Sequence, residues 1–245
     1  MSNGKLRLSW GLTGNNRTQT PYDFYSQITV NPGSGNSLDY VFGGERVPGY
    51  YVSNMANERL KWETTEQWNA GLDLGFFEDR IKVTADWYDK VTRDLLLYAL
   101  LPASSGFEQG MLNIGKIRNR GFELSGSWSD TIGDDFRYTV SGNLTTIDNE
   151  VLTLGKTYYQ GDKSVAVSEP GKPIGYFYGY EVEGIYQNKA DIASSPENTL
   201  AAVAPGDLKF RDVTGDGKIT EADRTMIGNP TPDFTYGYSV NLQYK

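Results

Sequence analysis

The segment Asp212–Asp223, with the sequence DVTGDGKITEAD, has the residue types and the spacing of a calcium-binding loop. In an EF-hand loop, oxygen ligands come from alternate positions, and an invariant glycine makes the sharp turn after the third of them. Gly217 stands at that position here. The sequence therefore predicts a weak calcium site, the only candidate cofactor site, with ligands from Asp212, Thr214, Asp216, the Lys218 carbonyl, Thr220 and Asp223.

The same segment has a second interpretation that needs no metal. Aspartates in a glycine-rich turn accept backbone N–H groups and cap short helices. In that case Thr220 is the N-cap of a short helix over TEADRTMI, and Asp223 is its third residue. The preceding APGDLKFRD is typical of a loop and a strand rather than of an incoming helix, so a complete EF-hand is not predicted. Both interpretations stay open at this point.

Two other groups of residues could do chemistry. The rings of GYFYGY could stack on a ligand or pack the loop that carries them; they are Tyr176, Phe177, Tyr178 and Tyr180. Neighbouring carboxylates at Glu63 and Glu66, and at Asp134 and Asp135, could serve glycoside hydrolysis. Lone carboxylates in sequence are ordinarily solvated, so we expect no enzymatic activity and no catalytic residue.

Composition excludes several classes of function. The 245 residues contain no histidine and no cysteine, which removes disulfides, thiolate metal sites and every catalytic triad that uses histidine. The net charge is −8 and there is no basic cluster, so nucleic-acid binding is not expected. The start of the chain, MSNGKLRLSW, lacks the features of a signal peptide, which predicts either a cytosolic protein or one whose front end is missing.

Polar and apolar residues alternate in several separate segments, and this pattern predicts β-strands. The apolar positions share one face of each strand and the polar positions share the other. The segments are LRLSWGL, QWNAGLDLGF, IKVTADWYDKV, FELSGSW, FRYTVSGNL and FTYGYSVNLQY.

A membrane barrel and a soluble β-sandwich both give this alternation. Short connections after Phe76 and Trp128 alternate with long ones over 92–117 and 148–174. Outer-membrane barrels have short periplasmic turns and longer extracellular loops, and rings that end the apolar faces would form their aromatic girdle. The candidate girdle residues are Trp68, Phe76, Trp87 and Trp128. The pattern favours a barrel and leaves open a secreted, calcium-stabilised β-sandwich that binds carbohydrate, or a fragment of a glycoside hydrolase.

Four segments, in the same order, resemble the barrel region of SusC/RagA-type TonB-dependent outer-membrane transporters; residues before Asn57 match only loosely. These segments are NERLKWETTEQWNAGLDLGFFEDRIKVTADWYDKVTRDLLL, NIGKIRNRGFELSGSW, GKPIGYFYGYEVEGIYQ and DVTGDGKITEADRTMIGNPTPDFTYGYSVNL. The resemblance implies an all-β fold: residues 1–245 would be a partial antiparallel transmembrane β-barrel with long extracellular loops, carrying 212–223 as an insert.

The resemblance also implies a function and a set of partners. Such a protein would import glycan or peptide fragments across the bacterial outer membrane. Its partners would be outer-membrane lipid, a SusD-like surface lipoprotein and TonB, the last bound through an N-terminal region absent here. The signal peptide and plug of the family are not recognisable, so an interior piece of a barrel is expected. If the apolar positions face lipid, polar residues such as Thr84, Ser125 and Asn241 line the interior.

Overall fold

A computed structural model of the chain describes residues 1–16, 25–26, 28–30, 40–47, 49–52, 55–107, 109–155, 158–160 and 165–245. Residue 108 of the predicted connection over 92–117 and residues 156–157 and 161–164 of the one over 148–174 lie outside these ranges, as do parts of the loosely matched first 56 residues. No helix among the described residues is long and apolar enough to cross a membrane.

Six long strands form one antiparallel sheet, in the spatial order β1-β6-β7-β8-β9-β18. They are β1 (Asn3–Asn15), β6 (Glu63–Phe76), β7 (Ile81–Leu100), β8 (Gln109–Ile132), β9 (Phe136–Thr153) and β18 (Phe234–Tyr244). The sheet is open, because β1 and β18 do not pair with each other. All six segments in which residue types alternate therefore lie in this sheet.

The remaining elements are short. The strands are β2 (Ile28–Val30), β3 (Tyr40–Phe42), β4 (Glu45–Val47), β5 (Tyr50–Val52), β10 (Tyr158–Gln160), β11 (Ala166–Ser168), β12 (Tyr176–Tyr180), β13 (Val182–Ile185), β14 (Glu197–Asn198), β15 (Leu208–Phe210), β16 (Lys218–Ile219) and β17 (Arg224–Gly228). The helical elements are α1 (Lys189–Ala193) and the 3-10 turns Ala103–Ser105 and Glu221–Asp223. Strands β10, β11, β12 and β17 form a second, four-stranded sheet.

The connections of the large sheet are short at one end and long at the other. Residues 77–80 and 133–135 make the turns at the short-turn end. Residues 16–62, 101–108 and 154–233 make the connections at the opposite, long-connection end, and they carry all the smaller elements. Long and short connections are therefore segregated, as the spacing of the strands in the sequence predicts.

The predicted loop over 92–117 is wrong in its extent. Strand β7 continues to Leu100 and β8 begins at Gln109, so only 101–108 connect them. The register shifts between Thr92 and Leu95, and Asp94 has a positive φ of 58°. A bulge of this kind moves the following residues to the opposite face. The alternation therefore breaks in sequence although the strand continues.

Register places residues of like chemistry in rows across all six strands. One row contains only apolar or aromatic side chains: Leu6, Leu72, Ala85, Leu124, Leu144 and Tyr236. The next row, on the opposite face, contains Arg7, Gly71, Asp86, Glu123, Thr145 and Thr235. We call the first side of the sheet the apolar face and the second the polar face.

No layer of the described residues covers the apolar face. The side chains of Leu6 and Tyr236 are 69% and 73% exposed, and Leu72 and Leu124 are also exposed. The buried apolar residues of the described chain lie elsewhere, in the parts of β7, β8 and β9 nearest the long connections and in the elements of the long-connection end. They are Ala99, Met111, Val151, Val167, Tyr176, Tyr186 and Ile219. The described chain thus has its protein core at one end and an uncovered apolar sheet at the other.

Aromatic residues mark both boundaries of the apolar face. Trp10 and Trp68 contact each other near the long-connection end, with ring centroids 6.0 Å apart. Phe76 and Trp128 occupy one row near the short-turn end, through Ile81 between them. Trp68 to Phe76 is nine residues, which agrees with the roughly 9 to 11 residues of a tilted strand that crosses a bilayer.

The elements of the long-connection end are attached to the part of β9 that does not pair with β18. The Val151 amide donates to the Lys172 carbonyl (2.9 Å) and the Gly171 amide donates to the Val151 carbonyl (2.8 Å). The buried side chain of Asn149 donates to Asn119 Oδ1 (2.7 Å) and accepts from the Ile174 amide (2.8 Å). These hydrogen bonds attach the segment that leads into the second sheet to β9 of the six-stranded sheet.

Gly121 of β8 lies where a side chain would collide with its neighbours. A Cβ built there would be 2.2 Å from the Thr146 carbonyl oxygen and 2.7 Å from the Tyr88 hydroxyl. We expect Gly121→Ala to lower the free energy of unfolding by about 1 to 3 kcal/mol, because backbone must move to admit the methyl group. Gly126→Ala is the matched control in the same strand, since its nearest neighbour would be 3.8 Å away. Urea unfolding of both variants measures the difference; equal costs would contradict this account of Gly121.

Candidate functional site

The polar face of the sheet extends across all six strands and could contact a solute. A hollow of about 500 Å³ on it is lined by Lys82, Ser125, Ser141, Asn143 and Ser239, among others. Hydroxyl, amide and ammonium groups present both hydrogen-bond donors and acceptors there. Strand periodicity predicts the residues of the polar face as a whole, of which the hollow takes only a part. The predicted residues are Lys82, Thr84, Asp86, Glu123, Ser125, Ser127, Thr139, Ser141, Asn143, Ser239, Asn241 and Gln243.

An ion-pair cluster joins three strands on the polar face. Arg7 Nε lies 2.8 Å from Asp73 Oδ2 on β6, and Arg7 Nη2 lies 2.9 Å from Asp86 Oδ1 on β7. The Arg7 side chain passes over Gly71, where a Cβ would be 2.7 Å from Arg7 Cζ and 2.2 Å from Asp86 Oδ1. Gly71 is therefore required for Arg7 to reach across β6. The sequence pattern indicates only that these charged residues share a face, and nothing in it predicts the cluster.

The four aromatic residues predicted to contact a ligand lie together on β12, in different environments. Tyr176 is buried, and its hydroxyl donates to Glu169 Oε1 (2.8 Å). The Arg224 guanidinium lies 4.6 Å from the centroid of the Tyr178 ring, a cation–π distance. The Tyr180 ring packs 5.2 Å from Phe210, and burial raises the pKa of its phenol.

Phe177 alternates to the other side of β12. Its ring is 43% exposed, which makes it the most accessible ring of the four. Three of the predicted ligand contacts thus also have packing roles within the protein. A role of Tyr176, Phe177, Tyr178 and Tyr180 in binding substrate stays a prediction.

The Asp212–Asp223 segment forms a hydrogen-bonded cradle around one buried carboxylate. Asp223 is fully buried, and its Oδ1 accepts from the amides of Val213 and Thr214, both at 3.0 Å. Its Oδ2 accepts from the Thr220 amide at 2.7 Å. These backbone N–H groups are the main reason that the pKa of Asp223 lies well below its usual range.

The capping arrangement predicted for this segment is present, over a shorter helix. Thr220 accepts from the Ala222 amide and forms a reciprocal capping box with Asp223. The helix predicted over TEADRTMI is wrong after Asp223, because Arg224–Gly228 pair with β12 as a strand. Pairing with β12 therefore stabilises these residues as a strand more than the local sequence stabilises them as a helix.

The three carboxylates among the predicted calcium ligands already accept N–H groups. Asp212 accepts from the amides of Gly215 (2.6 Å) and Gly217 (2.7 Å), and Asp216 accepts from the Lys218 amide (2.9 Å), in addition to the bonds of Asp223. Among the described residues, no group of three or more His, Cys, Asp or Glu side chains is arranged to hold a metal ion. These carboxylates face donors instead of converging on one point, so the arrangement does not fit an ion without rearrangement.

Calcium binding by Asp212, Thr214, Asp216, Lys218, Thr220 and Asp223 stays a prediction with a defined test. It requires a heat of binding when the folded protein is titrated with millimolar calcium, and loss of that heat in Asp212→Asn. A titration without heat would leave only the capping role.

One of the two predicted carboxylate pairs has structural partners. Glu63 accepts from the Leu96 amide (3.0 Å) and from Asn15 (2.8 Å), and Glu66 pairs with Arg93. Asp134 and Asp135 both lie in the turn between β8 and β9. None of these contacts gives one carboxyl group the role of an acid opposite a nucleophile.

Comparison with known proteins gives consistent matches along the whole chain. A family model described as TonB dependent receptor-like, beta-barrel matches residues 2–244. TonB-dependent receptor P3 of Formosa agariphila is 35% identical over 98% of the chain, and TonB-dependent receptor SusC of Bacteroides thetaiotaomicron is 32% identical over 100% of it. These alignments cover 24% of either relative, so the chain spans about a quarter of their length.

Solved structures give the same result for the fold. The structure of the RagAB peptide transporter covers 100% of the chain with a TM-score of 0.75 and 25% identity. The RagAB peptide importer in its open-open state gives a TM-score of 0.78, also at 25% identity. In both cases the match covers 25% of the solved chain.

Proposed function

Because this chain belongs to the family of TonB-dependent receptor-like β-barrels, we propose that it forms part of the wall and extracellular loops of an importer for glycan or peptide fragments. The family consists of outer-membrane transport proteins, not enzymes, and the open six-stranded sheet is a partial barrel. The β-sandwich and the glycoside hydrolase fragment considered from the sequence are therefore set aside.

The observation that carries the proposal is the exposed apolar row that runs across all six strands. In a water-soluble sandwich such a row would pack against a second sheet. In a membrane barrel it faces hydrocarbon, while alternate residues face the interior. The apolar face is accordingly the lipid-facing surface, and the polar face with its Arg7 cluster lines the passage for the solute.

The proposal extends to domain organisation and partners. Residues 1–245 would be one barrel segment, and 212–223 an insert in its extracellular part. The similarity to SusC and RagAB supports a SusD-like lipoprotein as the partner at the long-connection end. TonB would supply the energy, since the family depends on TonB; the region that contacts it would lie N-terminal to the barrel.

The substrate class stays open between two candidates. The similar RagAB protein is a peptide transporter, whereas the polar face of this chain offers hydroxyl and amide groups that suit sugars as well as peptide bonds. The decisive test is uptake of labelled oligosaccharides and labelled peptides by cells that lack the gene, with and without the complete gene restored. We expect restored uptake of one class, and its loss when TonB is also deleted. Unchanged uptake in the deletion strain would contradict the proposed function.

A further inference from the structure

A groove on the apolar face lies next to the turn between β6 and β7. It has a volume of about 400 Å³ and is lined by Phe77, Glu78, Arg80, Ile81, Trp128 and Asp130. We call it the turn groove. Its floor is apolar, from Phe77, Ile81 and Trp128, and its rim carries charges of both signs.

The turn that forms the groove has an unfavourable backbone conformation. Phe77, Glu78 and Asp79 have successive φ values of 53°, 57° and 63°. Side chains other than glycine rarely adopt this left-handed region, and a run of three is unusual. Contacts from Ser2 and from the first residue of β1 hold the conformation: the Glu78 amide donates to Ser2 Oγ (2.7 Å), and Asn3 Nδ2 donates to Asp79 Oδ1 (2.7 Å).

One consequence of this turn is the position of the Phe77 ring. Phe77 is 71% exposed and contributes to the apolar floor of the groove. A tight turn with a polar residue at this position would leave no ring there. Strained backbone that neighbouring contacts maintain is a recognised feature of ligand sites.

The charges on the rim are arranged side by side. Arg80 Nη1 donates to Asp130 Oδ2 at 3.2 Å, and the Arg80 side chain stays 53% exposed. A guanidinium has five N–H donors in a fixed plane, so the pair with Asp130 leaves donors for a second anion. Glu78 adds a carboxylate to the same rim. The groove thus presents a cation and two anions beside an apolar floor.

Its position in the membrane follows from the proposed function, on which this inference rests. Trp128 and Phe76 form the aromatic boundary at the short-turn end, which is the periplasmic end. Aromatic belts lie at the level of lipid headgroups. The turn groove is therefore at the headgroup level of the periplasmic leaflet, and it faces lipid.

We propose that the turn groove binds one glycerophospholipid with a zwitterionic, phosphate-plus-ammonium headgroup. Arg80 donates to the phosphate. Asp130 and Glu78 accept from the ammonium group. The upper part of the acyl chains packs along Ile81 and Trp128.

The test uses the complete importer in nanodiscs made from equal amounts of phosphatidylethanolamine and phosphatidylglycerol, with retained lipids counted by native mass spectrometry. Phosphatidylglycerol has the phosphate without the ammonium group. We expect the wild-type protein to retain phosphatidylethanolamine preferentially, and Arg80→Ala to retain about tenfold less, as expected for loss of a charge-assisted hydrogen bond. Lys5→Ala is the control, because Lys5 is an exposed cation at the same end on the polar face and does not line the turn groove.

Two results would overturn the inference. One is equal retention of the two lipids by the wild-type protein, a measurement that needs no variant. The other is undiminished retention of phosphatidylethanolamine by folded Arg80→Ala, with folding checked by heat-dependent migration on gels. An importer that transports normally but retains no lipid would contradict this inference alone, whereas absent transport would contradict the proposed function.

Discussion

We expect Leu72→Arg to lower the free energy of unfolding of the barrel by about 2 to 4 kcal/mol, because it places a charge near the middle of the lipid-facing surface. Leu72 lies midway between Trp68 and Phe76, the aromatic residues that bound β6. At Leu74, two residues closer to the boundary, the cost should be smaller, since the penalty falls toward the interfaces. Urea unfolding of the complete importer in detergent or lipid measures both changes.

The control for this experiment is Ser125→Arg on β8. Ser125 lies on the polar face and lines the hollow beside Lys82 and Asn143. We expect this change to stay within about 0.5 kcal/mol, as for other solvated positions. Equal costs at Leu72 and Ser125 would contradict the assignment of the two faces.

The second large effect concerns the buried carboxylate of the extracellular loop. In Asp223→Asn the amide NH2 group must face at least one of the donors from Val213, Thr214 and Thr220. We expect hydrogen exchange of the 213–220 amides to become at least about tenfold faster, because local opening becomes easier. Glu221→Gln is the control, since Glu221 is an exposed acid in the same 3-10 turn.

The pH dependence of this loop has a definite sign. The pKa of Asp223 is lower in the folded protein, so folding favours the ionised form. Its contribution to stability is therefore complete above the usual aspartate pKa of about 3.9 and declines as the pH falls from there toward the lowered value. The protection of the 213–220 amides against hydrogen exchange, after correction for their intrinsic exchange rates, should weaken below about pH 4 in the wild-type protein. An equal loss of protection at low pH in Asp223→Asn would contradict the assignment of this pH dependence to Asp223.

The large sheet was predictable because its strands obey one simple rule. Alternation along LRLSWGL or FTYGYSVNLQY indicates a strand whose two faces have different surroundings. The pairing register then places apolar residues beside apolar residues and polar residues beside polar ones. The extension of β7 past Thr92 was not predictable, since the bulge near Asp94 exchanges the faces. Beyond that point both faces of β7 contact protein or water, so polar and apolar residues no longer alternate along the strand.

The sites were predictable only where they are local in sequence. The capping box of Thr220 and Asp223 could be predicted from spacing, because all its partners lie within one turn. The Arg7 cluster and the turn groove could not, since they join residues of β1, β6, β7 and β8 whose contacts depend on register. Gly71 and the left-handed turn at Phe77 become informative only when their neighbours across the sheet are known.

The most direct test of the central claim is a single-cysteine scan along β8, from Phe122 to Trp128, in the complete importer reconstituted in lipid. The chain described here has no cysteine of its own, so each spin label placed in it would report one position. We predict that labels at Phe122, Leu124, Gly126 and Trp128 relax with oxygen dissolved in the bilayer, and that labels at Glu123, Ser125 and Ser127 relax with a water-soluble nickel chelate. Accessibility that does not alternate, or that alternates in the opposite sense, would contradict the account.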